Sequence, residues 1–460
     1  MANPTIRWRT ILAVFLLIGA IKAPKYMAPC NQDSDCFKEF TDKYVCSNHI
    51  CTRQTIAYSW PDMLGLVTIV FAAIITSGGF GHAMVLVPFL SCFLSFATSD
   101  AIPLSRLLIL VSAIIGFIHQ LGERNHIDKS KLNVDYPLAA VFISLMMAGS
   151  SIGVSLTRFF PTSISGLLLF LILIKGAFNV YGKAKTERAK ENDAFKELEK
   201  LKDDGKSPEI LLNDLTIEIG EDSIEPITII GKLPISYLYR KQRFNILIIA
   251  FGVLFFSIIP FLRGGQNFNS LIGIKFCGVG SWVIFGGSIL ISFVIAYFGW
   301  FVNKRHLLII QKNETVLERE VKLKWFFFLT FAGGILAGMV GIGGGMVLGV
   351  YLADLGMHPT GVLSLSLLML LCASMTTCIQ FWAEGAIQLN MMLPLCIAAV
   401  IGYTIGSLGL SALIKKYKRP SLVFWVLLGV IFLSSILLPF RIISKIIEVP
   451  SSTFEFGILC

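Results

Sequence analysis

At 460 residues the chain could hold two or three soluble domains, but 55% of it is hydrophobic, 15% is charged and its mean hydropathy is +0.74. Soluble domains carry about 25% charge and about 45–50% apolar residues, so a water-facing globule is excluded and lipid is the solvent for the excess. The net charge of +10 would suit nucleic acid in a soluble protein. Here the basic residues flank apolar spans and record membrane topology, so no nucleic-acid partner is implied. The sequence therefore predicts an all-α, multi-pass membrane protein whose surroundings are membrane lipid.

Residues 1–23 hold Arg7 and Arg9, then the apolar run Ile11 to Ala20. A basic start followed by a short apolar stretch reads as a secretory signal peptide, with a retained signal anchor as the alternative. The polar stretch 24–59 carries Cys30, Cys36, Cys46 and Cys51. Four cysteines packed this closely behind a signal sequence predict a disulfide-stapled segment in an oxidising compartment. Three pairings are open, and a zinc site is disfavoured by the lack of any C-x-x-C spacing. The other six cysteines lie in or beside apolar spans and read as packing residues.

Apolar segments follow at 60–97, 102–120, 136–157 and 163–182, then at 244–262, 271–302, 323–354, 361–384, 391–413 and 421–441. Segments 60–97 and 323–354 far exceed the ~20 residues a helix needs to cross a bilayer. Each has a glycine cluster near its middle and is expected to be two helical pieces joined by a break. The linker 183–243 is different material, with 12 Lys+Arg and 13 Asp+Glu among its 61 residues. It reads as solvated and partly helical. Basic clusters occur at Arg124/Lys129/Lys131, Lys183–Lys190, Arg240–Arg243, Lys304–Lys324 (taking in the loop 303–322) and Lys415–Arg419. When each broken segment counts as two crossings, all of them fall on one face, the cytosol. The cysteine segment and the tail 442–460 then fall on the opposite face. That arrangement fits the plasma membrane or an internal membrane of a eukaryotic cell.

Two glycine-rich stretches match. Gly79-Phe80-Gly81-His82-Ala83-Met84-Val85-Leu86 aligns with Gly341-Ile342-Gly343-Gly344-Gly345-Met346-Val347-Leu348, and Gly149-x3-Gly153 aligns with Gly402-x3-Gly406. Residues 60–182 and 323–441 thus read as two copies of one unit, the first beginning outside and the second inside. Such inverted-topology repeats recur in secondary transporters. The segment 244–302 is a two-helix insert between them.

Five of the eight residues from Gly338 to Gly345 are glycine, each costing a helix interior about 1 kcal/mol relative to alanine. A broken backbone is tolerated in lipid only where it is buried in protein or lines a cavity. New helix starts are expected near Gly344 and Met346, and near His82 and Ala83, approaching the midplane from opposite sides. Helix N-termini carry partial positive charge, so the pair suits a small anion. Close helix packing is the competing reading of such glycines, and it is the one given to Gly149/Gly153 and Gly402/Gly406.

The candidate substrate-binding residues are accordingly Gly79, Gly81, His82, Gly341, Gly343, Gly344 and Gly345, with Arg106, Ser364 and Ser366 beside them. Arg106 is either a second positive group on the anion path or a side chain snorkelling to the headgroups. His82 could carry a coupling proton or pack neutrally. Ser364 and Ser366 could donate to an oxyanion or bond back to their own helix. No metal-ligand spacing, HExxH or GxSxG motif occurs, so neither an enzyme, a metal nor a cofactor is implied. A receptor or scaffold using the cysteine segment to bind a partner is the alternative class. Oligomeric state is left open.

The stretch GMVGIGGGMVLGVYLADLGMHPTGVLSLSL resembles the sulfite exporter TauE/SafE family. Its marks are a GxGGG break, an apolar run, the turn Leu355-Gly356-Met357-His358-Pro359 and a Ser-bearing helix. The first-half copy SGGFGHAMVLVPFL is similar to the weaker counterpart found in that family. The signal sequence, long linker and two-helix insert are similar to its larger eukaryotic members. The resemblance implies a carrier for sulfite, sulfonates or other sulfur-containing or organic anions. It places Gly341, Gly343, Gly344, Gly345, Pro359 and Ser364 at motif positions. His82 and Ala83, in place of glycines, and Arg106 depart from the pattern.

Overall fold

The computed structural model describes residues 44–47, 50–53, 60–76, 82–94, 98–121, 132–160, 162–203, 235–265, 269–309, 316–341, 359–387 and 389–417, with isolated residues and parts of 425–439 besides. A short hairpin, β1 (Tyr44–Ser47) and β2 (Ile50–Arg53), sets Cys46 directly opposite Cys51. The other elements among the described residues are helices, as expected.

The helices are α1 (Trp60–Thr76), α2 (His82–Phe93), α3 (Thr98–Gln120), α4 (Tyr136–Phe159) and α5 (Thr162–Asp203), then α6 (Ile235–Arg263), α7 (Val279–Ile309), α8 (Val316–Val340), α9 (Pro359–Ala383) and α10 (Leu389–Tyr417). Seven are long and apolar enough to cross a membrane, at Asp100–Gln120, Tyr136–Thr157, Ile164–Asp193, Tyr239–Arg263, Val279–Lys304, Gly361–Ala383 and Met392–Gly409. The protein is an integral, multi-pass membrane protein.

The first long apolar segment breaks as expected, between Thr76 and His82. Its pieces double back on each other. Gly65, near the start of α1, abuts the end of α2 so closely that a Cβ would sit 2.7 Å from Leu94 Cγ. With 12 residues, α2 is about 18 Å long, short of the ~30 Å hydrocarbon core. The segment is a hairpin whose ends lie together, which has the same parity as two crossings. In the second long segment α8 ends at Val340, and the expected helix start near Gly344 and Met346 lies outside the described residues. Helix α5 runs without interruption from its apolar span into the charged linker, for 42 residues or about 63 Å.

Helix α4 starts where Asp135 Oδ1 accepts from the Leu138 amide at 3.1 Å, with a proline in the first turn. A capping carboxylate and Pro137 are what a helix start needs. Along its length α4 lies against α8. A Cβ on Gly153 would come within 2.6 Å of Met339 N and 2.7 Å of Gly338 Cα, and one on Gly149 within 3.1 Å of Gly334 Cα. Two small-xxx-small faces therefore meet backbone to backbone, and Phe142 stacks edge-on against Phe326 at 4.4 Å. Gly402 of α10 meets α1 in the same manner, since a Cβ there would lie 2.7 Å from Ala73 Cβ. The packing reading holds for Gly149, Gly153 and Gly402.

Helices α3, α4 and α9 form the buried centre. The apolar pattern predicts a helix from residue 271, but Leu271–Gly278 is a turn-rich loop with Gly273 and Cys277 at positive φ. Cys277 is disulfide-bonded, which corrects the reading of it as a packing residue. Cys92, Cys372, Cys378 and Cys396 are free thiols. Cys460 and the side chains of Cys30, Cys36, Cys46 and Cys51 lie outside the described residues.

Candidate functional site

Helix α8 ends on Gly341, whose φ is +77° and whose N–H closes a bond to the Ala337 carbonyl at 3.1 Å. This left-handed terminus is glycine's own position, because a side chain there would strain the backbone. Space forbids a side chain as well, since a Cβ would lie 2.9 Å from Ser105 Oγ, 3.0 Å from Val87 Cγ2 and 3.3 Å from Ile102 Cγ2. The second break therefore abuts α2 and α3. Val87 is five residues into α2, about 7.5 Å along it, so Gly341 lies near the first turns of α2. Thr157 of α4 donates to the Met339 carbonyl at 3.1 Å and the Gly338 carbonyl at 3.4 Å, satisfying orphan carbonyls at the end of α8.

Next to Ser105 stands Arg106, fully buried at 0% exposure and the largest fully buried side chain among the described residues. Burial overturns the snorkelling alternative, because the guanidinium is inside protein and not at a headgroup. Its electrostatic partners include Cys378 of α9. Gly341 thus packs against the stretch of α3, Ile102 to Ser105, that leads into Arg106. Ser105 is seven residues into α3, about 10 Å from its start. Gly341 therefore meets α3 nearer the start of that helix than its end.

The two serines do not share this place. Helices α3 and α9 run antiparallel, and Ser364 lies at the far end of the pair. It donates to Gln120 Oε1 at 2.8 Å and accepts from Asn133 Nδ2 at 2.7 Å, while Asn133 also donates to Gln120 at 3.0 Å. Ser364 and Cys378 are 14 residues apart on α9, about 21 Å. Ser366 is 1% exposed and its hydroxyl has no hydrogen-bond partner among the described residues. His82 begins α2, with its side chain outside the described residues. Gly79, Gly81, Gly343, Gly344 and Gly345 lie outside them too. No group of His, Cys, Asp and Glu that could hold a metal occurs among the described residues.

A second polar cluster escaped the sequence reading. Gln380 Nε2 donates to Glu384 Oε1 at 3.1 Å and to the Ser151 carbonyl at 3.2 Å, and reaches Ser155 Oγ at 3.5 Å. Arg263, 5% exposed, donates from Nε to Ser281 Oγ at 3.0 Å and lies 4.7 Å from the Phe285 ring centroid and 5.1 Å from that of Trp282. A small cavity is lined by Ser151, Arg263, Gln380 and Glu384. The available signal was Glu384 itself, the single charged residue in the apolar segment 361–384.

The model for the family described as "Sulfite exporter TauE/SafE" matches residues 226–438. Over most of the chain it is also similar to curated plant proteins of that name. "Sulfite exporter TauE/SafE family protein 1" of Arabidopsis thaliana is 25% identical over 447 residues, covering 94% of each chain. Over most of its length the chain is similar to members of the TauE/SafE family. Family protein 3 of the same plant is 25% identical over 388 residues, covering 82% of this chain and 78% of its own. Family protein 2 is 22% identical over 441 residues, covering 91% and 90%. No solved structure matches the chain. The family is one of membrane transporters. Its model matches the insert and the second glycine-rich half, which is where the residues that resemble the family's motif stand.

Proposed function

We propose that the protein is a secondary carrier moving a small anion (sulfite, a sulfonate or another sulfur-containing or organic anion) by alternating access. The observation that carries this is a fully buried Arg106 beside the positive-φ terminus at Gly341. A buried cation inside a membrane bundle is costly, and such groups mark ion and substrate pathways. A helix broken within protein, as at Gly341, is the accompanying feature of transporter sites. The plant relatives' names carry sulfite, which favours oxyanions of sulfur among the candidates.

The pairing of helices supports two units of inverted topology. If α1 corresponds to α8, α3 to α9 and α4 to α10, then the α4–α8 contact has α10–α1 as its counterpart, and α4–α9 has α10–α3. The α3–α9 contact is its own counterpart. Each unit so packs its helices into the other, and rocking one against the other would open the Gly341–Arg106 region to alternate faces. The Cys277 disulfide supports placing the loop after α6 on the oxidising side, opposite the charged linker.

The test is flux of labelled sulfite, sulfate, taurine and methanesulfonate into proteoliposomes holding the full chain, alongside Gly341→Val and Arg106→Gln. At least one probe should move, and each variant should slow it about tenfold or more, a barrier change of about 1.4 kcal/mol. A folded protein that moves none of the four overturns the reading for these anions. Equal flux in both variants would reject the site.

A further inference from the structure

The carrier reading leaves the second polar cluster without a role. It lies where the C-terminal ends of α6 and α9 meet, so close that Gly265 has no room for a Cβ against the Ala383 carbonyl. Arg263 is the last residue of α6, and Gly264 follows it at φ +76°. Glu384 closes α9 in a Schellman arrangement, with Gly385 N–H bonded to Trp382 O and Ala386 N–H to Phe381 O. Both charged residues are 5% exposed and line one cavity. Helix α4 contributes Ser151 and α7 contributes Phe285 to that lining, so among the described residues Arg263 is the one charged group facing Glu384 there. Arg106 approaches the same helix at Cys378, six residues from Glu384 or about 9 Å along the helix.

We propose that Glu384 is a proton-binding site coupled to anion movement, with Arg263 as its counter-charge and Gln380 as the group that orients it. The inference rests on the anion-carrier reading. With Glu384 ionised, the Arg263–Glu384 cluster is neutral and offers an anion nothing. A proton added to a carboxylate oxygen removes the negative charge and leaves the cluster at +1, in surroundings that screen it little. Proton and anion therefore favour each other's binding, and the coupling is reciprocal. One proton travelling with one monoanion makes the cycle electroneutral. Gln380 holds the carboxylate through one amide proton while its bonds to Ser151 and Ser155 fix it to α4. The charge state of Glu384 is thus felt where the insert meets the central layer.

The test uses the full chain in proteoliposomes with methanesulfonate, an anion that carries no proton of its own near neutral pH. Under an inwardly directed proton gradient, the unmodified protein should concentrate the probe above its equilibrium level and acidify a dye-loaded lumen. Glu384→Gln should abolish both signals yet keep counterflow at equal pH within about threefold, well under the ~1.4 kcal/mol that a tenfold change represents. Gln380→Leu should keep accumulation and shift the pH of half-maximal uptake. Accumulation by Glu384→Gln at the unmodified level overturns the proposal. Loss of counterflow in both variants also overturns it, since the cluster is then structural. Flux by the unmodified protein without any proton signal defeats this inference and leaves the carrier reading standing, whereas no flux at all defeats the carrier reading.

Discussion

Helices α4 and α7 both read as membrane spans, and α7 is the more hydrophobic of the two. Yet 94% of the α4 span is buried in protein, against 28% for α7. In water the greasier helix would sit deeper. In lipid the hydrocarbon tails satisfy Leu290 and Phe301 of α7 as well as a protein interior would, and both are more than two-thirds exposed. What places a helix at the centre is closeness of approach. Helix α4 presents Ala148, Gly149, Ser150 and Gly153, so the α8 backbone can come within van der Waals range. Dispersion between close backbones, with the few buried polar bonds, replaces the hydrophobic effect as the force that orders the bundle.

Substitutions in and around the two helices test this contrast. Gly153→Leu forces a side chain into the α8 backbone and should cost about 3 kcal/mol or more. Loss of a monodisperse, detergent-solubilised protein in a thermal-stability assay would show it. Gly341→Ala should cost about 1–2 kcal/mol for its left-handed backbone, with flux falling further than stability because the added methyl presses on Ser105. Comparing melting temperature with transport rate separates the two effects. Ser364→Ala removes the middle of the Gln120–Asn133–Ser364 triad and should cost about 1 kcal/mol, with flux largely kept because Ser364 stands far from Arg106. In α7, a Cβ added at Gly286 would meet nothing within 4 Å. Gly286→Ala should therefore stabilise the protein slightly, by up to about 1 kcal/mol of helix propensity, seen as a small rise in melting temperature. A destabilised Gly286→Ala protein would mean that α7 has a partner on that face.

Much of the architecture was legible in the sequence because it follows from one-dimensional signals. Apolar run lengths located the spans, the cluster before His82 located the first break, and Gly149-x3-Gly153 marked a packing face. The site was legible only in part. Gly341 and Arg106 could be nominated from residue type, but their meeting depends on α8 reaching α3 across more than 200 residues of chain. Ser364 was nominated on equal grounds, and the antiparallel run of α3 and α9 carries it to the opposite end. Gln380, Glu384 and Arg263 carry little signal in the sequence, because a lone polar residue near a span end is equally an interfacial anchor. Cys277 reads as a small packing residue because it stands in an apolar run, and its disulfide depends on what the fold brings beside it.

By itself the sequence determined that this chain dissolves in lipid, where its helices run and where they must break, since composition and glycine content act locally on solvation and backbone freedom. Tertiary structure decided which of two similar glycines is crowded and which faces open space, which helix is central and which charges share a cavity. In a membrane nearly every helix surface is apolar enough for either fate. The choice is made by shape and by the pairing of buried polar groups, and those exist only once the helices have met.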